Sequence, residues 1–247
     1  MSEYLLFRLY GPMAAWGDIA VGEQRPTMSH PSKSAILGLL AAALGITRDE
    51  EDKHRALAMA YGLAVRVDSP GELHRDYHTT QVPPQQRGAR YFTRREELAA
   101  NTLHTILSQR DYRMDACYAI ALWVQHASPP HSLQELASAL TRPRFTLYLG
   151  RKSCPPALPL GPLVTPAATL KEALDKLPAR EALIKDLPSV KQTTFYWEYL
   201  DRSAAGFSEN GLHMAYTRRD LPLSRKRWQF TEREEFYHSV ETAEVQE

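Results

Sequence analysis

The segment from Arg142 to Pro155, Arg-Pro-Arg-Phe-Thr-Leu-Tyr-Leu-Gly-Arg-Lys-Ser-Cys-Pro, sets four cations, two aromatic rings and a glycine around a short apolar core. No Asp or Glu occurs from Leu136 to Lys171, so this surface suits an anion. Alternation with period two sends Arg144, Thr146 and Tyr148 to one side of an expected strand and Phe145, Leu147 and Leu149 to the other. Gly150 permits a close approach or a positive φ, which would let the amides beside Arg151, Lys152 and Ser153 meet phosphate oxygens together with the side chains. An arginine fork grips phosphate bidentately, whereas lysine offers a point charge. The plain alternative for this segment is a solvated strand end.

Three other places repeat the chemistry. Arg25 and Lys33 flank the start of an expected helix, whose unpaired amides favour an anion. Arg75-Asp-Tyr-His78 alternates charge and ring, and Arg87, Arg90, Tyr91 and Phe92 follow it. Phosphate contacts combined with aromatic stacking are how single-stranded RNA is held, at roughly 1 to 3 kcal/mol per stacked base. Signals for catalysis are poorer. His74 and His78 share one face of a strand, but no third metal ligand accompanies them, and Lys53-His54 lies in an acid-rich helix. Neither a dinucleotide or phosphate-binding glycine loop, nor HExxH, nor a nucleophile elbow occurs. No metal and no cofactor are expected. Tyr77 beside His78 could in principle activate a 2′-hydroxyl, although stacking or a structural role suits the pair better.

The elements that must position these residues follow from pattern. Tyr4 to Tyr10 reads as a strand, and Met13 to Pro31 as a long irregular loop carrying Trp16 and Arg25. Ser32 caps a helix that ends at Gly45, and Thr47-Arg-Asp-Glu50 forms a capping box for a second, ending near Tyr61-Gly62. Leu63 to Val67 is a short strand and Arg113 to Val124 a longer one, whose apolar run from Tyr118 predicts a central position covered on both faces. A capping box at Ser132-Leu-Gln-Glu135 opens a helix through Leu140, and Phe145 to Leu149 supplies the next strand. The order is β, α, β, insertion, β, α, β, which predicts an α+β chain with a ferredoxin-like (RRM-like) domain over residues 1–155. The insertion, about 75–112, is either a protruding arm or a disordered loop, and its arginines and rings favour the arm. Residues 156–247 read as an extended proline-rich crossover, a short helix opened by Thr169-Leu-Lys-Glu172, and a small C-terminal β region with strands near Thr193 to Leu200, Leu212 to Tyr216 and Trp228 to Tyr237.

Bulk properties narrow the function. The 247 residues, 43% of them hydrophobic, suffice for a substantial core. A net charge of +1 excludes a uniformly basic coat, so any polyanion site must come from segregated charge. From Leu73 to Arg95 the sole acid is Asp76, while acids collect at Asp49 to Asp52, Glu232 to Glu235 and the C-terminal tail. The two cysteines, Cys117 and Cys154, form no zinc or staple spacing and fit a reducing compartment. No run of about 18 apolar residues occurs, and a soluble cytoplasmic protein without a membrane partner is expected.

With these residues in view, the chain resembles the CasD-type subunit family of the type I-E CRISPR Cascade complex, within the RAMP superfamily. The resemblance rests on Leu9-Tyr-Gly-Pro-Met-Ala-Ala-Trp-Gly17, Arg25-Pro-Thr27, Pro31-Ser-Lys-Ser-Ala-Ile-Leu-Gly-Leu-Leu40 and Leu44-Gly-Ile46. Arg75-Asp-Tyr-His-Thr79, Ala121-Leu-Trp123 and Pro143 to Pro155 follow in the same order. It implies a non-catalytic subunit that caps the 5′ handle of the CRISPR RNA, abuts the Cascade backbone and large subunits, and meets target DNA through the assembled complex. Its arm is pushed through the RNA so that one nucleotide is displaced. The handle-binding role passes to Arg25, Lys33, Arg75, His78, Tyr148, Arg151 and Lys152, and, through the insertion, to Arg90 and Tyr91. The alternative implied by the type I-C branch is a metal-independent endoribonuclease that cuts CRISPR repeat RNA with Tyr, Lys and His. Here the adjacent Lys53 and His54 do not match that pattern.

Overall fold

A computed structural model describes residues 1–85, 87–126, 128–178, 192–198, 200, 202–207 and 212–241. In chain order the elements are β1 (Ser2–Tyr10), β2 (Met13–Ala14), β3 (Gln24–Arg25), α1 (Lys33–Leu44), α2 (Glu51–Ala60), β4 (Tyr61–Ser69) and β5 (Glu72–Val82). They continue as α3 (Arg94–Leu98), β6 (His104–Met114), β7 (Cys117–Val124), α4 (Leu133–Thr141), β8 (Leu163–Ala167) and α5 (Leu170–Asp175). Last come β9 (Gln192–Trp197), α6 (Arg202–Ala205), β10 (Leu212–Ser224) and β11 (Gln229–Glu241). The fold is mixed α+β. No helix among the described residues is long and apolar enough to cross a membrane.

The main sheet has seven strands in the order β10-β11-β9-β4-β7-β1-β8. Successive side chains of a strand leave opposite faces, and β1 and β7 divide two apolar clusters between them. Leu5, Phe7, Leu9, Tyr118, Ile120 and Leu122 pack on one face with α1, α2 and α4. Tyr4, Leu6, Ala119, Ala121 and Trp123 pack on the other with α5 and β9. This double cover explains why the Tyr118 to Val124 run is apolar at every position. Helix ends follow their local signals. The Ser32 hydroxyl accepts from the Ala35 amide and Gly45 closes α1 in the left-handed region; Ser132 and Glu135 cap each other's backbone at α4; and Thr169 caps α5.

Several expectations need correction. Phe145 to Leu149 is not a strand. The Arg144 and Phe145 amides donate to the Ala43 and Ala42 carbonyls, 3.0 and 3.1 Å, in the last turn of α1, where the regular helical donors run out. That tie draws the backbone away from the sheet, and β8 fills the edge beside β1 instead, from Ser2↔Ala167 to Leu6↔Leu163. Leu147 and Leu149 are buried as alternation predicts, but Phe145 is 47% exposed. The run from Arg113 to Val124 breaks at Asp115, whose φ of 55° turns β6 into β7. The Thr47–Glu50 turn forms, with the Thr47 amide donating to Glu50 at 2.7 Å, yet α2 starts only after it and Glu50 makes no side-chain cap. The loop from Met13 to Pro31 contributes β2 and β3, both paired with β6. The three C-terminal runs do form strands, β9, β10 and β11, and because β9 pairs with β4 they widen the main sheet. The acids of the C-terminal tail beyond residue 241 lie outside the described residues.

Candidate nucleic-acid interface

The insertion is a paired hairpin. β5 and β6 run antiparallel from Glu72↔Met114 to Val82↔His104, with α3 between them, and β2 and β3 extend the base of this second sheet. Register places Arg75 opposite Asp111, and the guanidinium grips the carboxylate bidentately, Nε to Oδ1 at 2.8 Å and Nη2 to Oδ2 at 3.1 Å. That contact, with the neighbouring Arg151 and Arg113 charges, holds the Asp111 carboxyl below its ordinary value.

Arg151 arrives from the other side. Its Nη1 donates to the Asp111 carbonyl at 3.2 Å and its Nη2 to the Arg25 carbonyl at 3.1 Å, while the guanidinium carbon lies 4.6 Å from the centre of the Tyr112 ring. What brings it there is Gly150, whose φ is +85° and whose position leaves no room for a side chain, since a Cβ would stand 1.8 Å from the Ala15 carbonyl oxygen. The Ala15 amide donates to the Leu149 carbonyl at 3.0 Å, and the turn closes through Leu149 N–H to Cys154 O at 2.7 Å. The Arg25 side chain folds onto the Gly22 and Gln24 carbonyls at 2.7 and 2.9 Å, at an exposed position. Arg25, Arg75 and Arg151 therefore meet at the base of the hairpin beside the Asp111 carboxylate, and the exposed Lys152 follows Arg151 in the same turn. Tyr148, 39% exposed, stands in the same turn as Arg151.

Other predicted residues lie elsewhere. His78 is farther along β5, paired with Asp76. Both alternate to the face opposite Arg75. Arg90 and Tyr91 are exposed on the connection from β5 to α3, beyond the end of the hairpin remote from Arg75. Lys33 is buried, with 4% exposure, and its ammonium donates to Glu198 at 2.8 Å. Burial pulls both partners toward their neutral forms and their mutual contact opposes it. The anion expected at the start of α1 is present, but it is Asp220, which accepts from the Lys33 amide at 2.8 Å. Lys33 thus joins α1 to the C-terminal strands and offers no charge to a ligand. Sequence reasoning missed Asp111 and Tyr112, which position Arg75 and Arg151; only the register of the hairpin exposes them. Among the described residues no group of three or more His, Cys, Asp or Glu is placed to hold a metal.

The model of the family described as CRISPR-associated protein (Cas_Cas5) matches residues 4–235. The chain belongs to the Cas5 family. It is 34% identical over 238 residues to the CRISPR system Cascade subunit CasD of Escherichia coli (strain K12), covering 95% of each chain. A solved chain of a CRISPR RNA-guided surveillance complex superposes with a TM-score of 0.64 at 26% identity, over 97% of this chain and 90% of that one. The crystal structure of a Cas protein gives 0.59 at 28% identity, over 96% and 94%. Similarity to CasD therefore extends well past the motifs of the first 160 residues into the C-terminal strands of this Cas5-family chain.

Proposed function

We propose that the chain is a non-catalytic, RNA-binding subunit of a type I-E Cascade complex, capping the 5′ handle of the CRISPR RNA and contacting the backbone and large subunits. Target DNA is met through the assembled complex. The observation that carries the reading is the convergence of Arg151 on Arg25 and on the Arg75–Asp111 pair, in a chain similar to CasD along its length. Arg25, Arg75, Arg151 and Lys152 take phosphates at the hairpin base, and Tyr148 stacks nearby. His78, Arg90 and Tyr91 belong to the hairpin as the arm that displaces a nucleotide. Lys33 is left out because its charge is spent inside the fold. The antiparallel order β8-β1-β7-β4 supports a ferredoxin-like core, with the edge strand moved to β8.

Arg151→Ala combined with Lys152→Ala is expected to weaken capture of handle RNA and to reduce the salt slope of log K by about 0.7 for each phosphate no longer neutralised. Binding isotherms at several salt concentrations check this, and an unchanged slope would count against phosphate contact there. Purified protein mixed with repeat RNA is expected to leave it intact on a denaturing gel. A discrete cut abolished by Tyr77→Phe or His78→Ala would replace the capping reading with an endoribonuclease.

A further inference from the structure

The turn joining β10 to β11 runs Arg225-Lys-Arg-Trp228, and its neighbours fix it in place. Glu51 Oε1 accepts from the Lys226 amide at 2.5 Å and Ser224 Oγ from the Arg227 amide at 3.0 Å, while the buried Arg225 guanidinium donates to the Ser34 carbonyl of α1. These contacts occupy the amides and leave the Lys226 and Arg227 side chains in solvent, with no hydrogen bond or ion pair among the described residues. Trp228 ends the turn at φ 56°, a conformation that a bulky residue seldom adopts. Phe230 meets its ring edge-on at 5.7 Å, and the exposed Arg48 lays its guanidinium over the ring face, 4.8 Å from the centre. That stack brings a further cation to the turn from the connection between α1 and α2.

Beside the turn, a cavity of about 360 Å³ sets Arg55 of α2 together with Lys226 and Arg227, with Glu51 as the one acid in its lining. The acids of α2 do not cancel these charges. Glu50 is paired with Lys53 at 2.5 Å, and Asp52 meets Arg55 at 3.8 Å in an exposed pair that solvent screens. Glu51 is turned onto the Lys226 amide, and Asp49 is bonded by Thr47. Arg48, Arg225, Lys226 and Arg227 therefore stand against Asp49 and Glu51, which leaves positive charge in excess.

We propose that this turn is a contact for the phosphate backbone of duplex DNA, with Lys226 and Arg227 neutralising phosphates and Arg55 and Arg48 flanking them. A duplex carries one charge for about every 1.7 Å of its axis, twice the density of a single strand, so a compact group of cations gains most from it. Single-stranded RNA is held by stacking as well, and here Arg48 already lies on the ring. Cations that meet phosphates position a backbone and read no sequence. The inference goes beyond handle capping, since none of these residues belongs to the hairpin base, and it gives the chain a DNA contact of its own.

The test titrates the full chain with a short duplex of arbitrary sequence and, in parallel, with handle RNA, each at several salt concentrations. Lys226→Ala combined with Arg227→Ala is expected to lower the salt slope of log K for the duplex by about 1.8, the sum for two phosphates, and to leave RNA capture unchanged. Both side chains are exposed and the amides that fix the turn remain, so the variant keeps the fold. Trp228 is 58% exposed whereas Trp16, Trp123 and Trp197 are buried, so tryptophan emission is expected to change as duplex binds and Trp228→Phe to lose that change. A duplex slope indifferent to the double variant would overturn the contact. Equal losses of duplex and RNA binding would overturn the assignment to DNA and make the turn part of the RNA site. A wild-type chain that fails to capture handle RNA yet binds duplex through Lys226 and Arg227 would remove handle capping and keep this contact.

Discussion

Gly150→Ala is expected to destabilise the chain by about 2–5 kcal/mol and to reduce RNA capture at least as far as removal of the Arg151 and Lys152 side chains. Two costs combine. A residue with a Cβ in the left-handed region costs about 1–2 kcal/mol, and forcing atoms into a filled space costs about 1–3 kcal/mol. The second applies fully here because the obstacle is backbone, the Ala15 carbonyl at 1.8 Å from the new Cβ. Ala15 and Trp16 are both core residues, so that carbonyl cannot retreat without disturbing the main cluster or breaking the Ala15 N–H to Leu149 O bond. The relief available is for the 147–154 turn to lift, which separates Arg151 from the Arg25 and Asp111 carbonyls. Gly88→Ala is the control, since Gly88 has φ +84° but nothing within 4 Å of its Cβ. It should cost only the backbone part, about 1–2 kcal/mol. Urea unfolding of the two variants isolates the clash, and equal midpoints for both would show that the turn is not seated against Ala15.

Much of the scaffold was legible because it is locally encoded. Ser32 with Gly45, Ser132 with Glu135, and Thr169 each satisfy a helix end within a few residues, and the uninterrupted apolar run of β7 needs only knowledge of what covers a central strand. Phe145 to Leu149 misled because its alternation is strand-like while its first amides are taken by carbonyls of α1, about a hundred residues earlier in the chain. Asp115 misled because a single left-handed residue divides an apparently continuous strand. At the site, the cations at 25, 75 and 151 stand out by type and spacing. Their mutual placement does not, because Asp111 holds Arg75 only through the register of a long hairpin. Lys33 shows the limit most clearly. Beside a helix start it resembles an anion ligand, but Glu198 and Asp220, which occupy its side chain and amide, lie 165 and 187 residues away.

The same interior network predicts an acid-labile C-terminal hairpin. The buried Glu235 carboxylate accepts from Arg233 Nη2 at 2.6 Å, Arg218 Nη1 at 3.2 Å and the Tyr216 hydroxyl, and meets His30 Nε2 at 2.9 Å. Burial alone would raise its pKa, but the His30 contact and the two guanidiniums hold it well below the usual carboxylate range. His30 is stacked on Tyr196 at 3.6 Å and hydrogen-bonds Ser29 through Nδ1. Burial, aided by the Arg218 and Arg233 charges and opposed by Glu235, lowers its pKa from 6.5 to about 4. Both folded values are depressed, so in both cases the unfolded chain binds the proton first as pH falls. The His30 contribution is full above about 6.5 and drains away down to about 4; the Glu235 contribution is full above its unfolded value of about 4.3 and is lost below it. At about 1.4 kcal/mol per tenfold change in proton affinity, the His30 part amounts to about 3 kcal/mol. Glu235→Ala, which leaves buried cations short of an anion, is expected to cost about 3–5 kcal/mol at neutral pH. His30→Gln should lower the neutral plateau by removing the stacking on Tyr196 and flatten the fall between pH 6.5 and 4. Chemical unfolding across that range decides it, and a His30→Gln curve parallel to the wild type would place the acid sensitivity elsewhere. Tyr216 and Arg218, which Glu235 holds, also line a cavity against α1, so acid that loosens the hairpin is expected to disturb its packing on that helix as well.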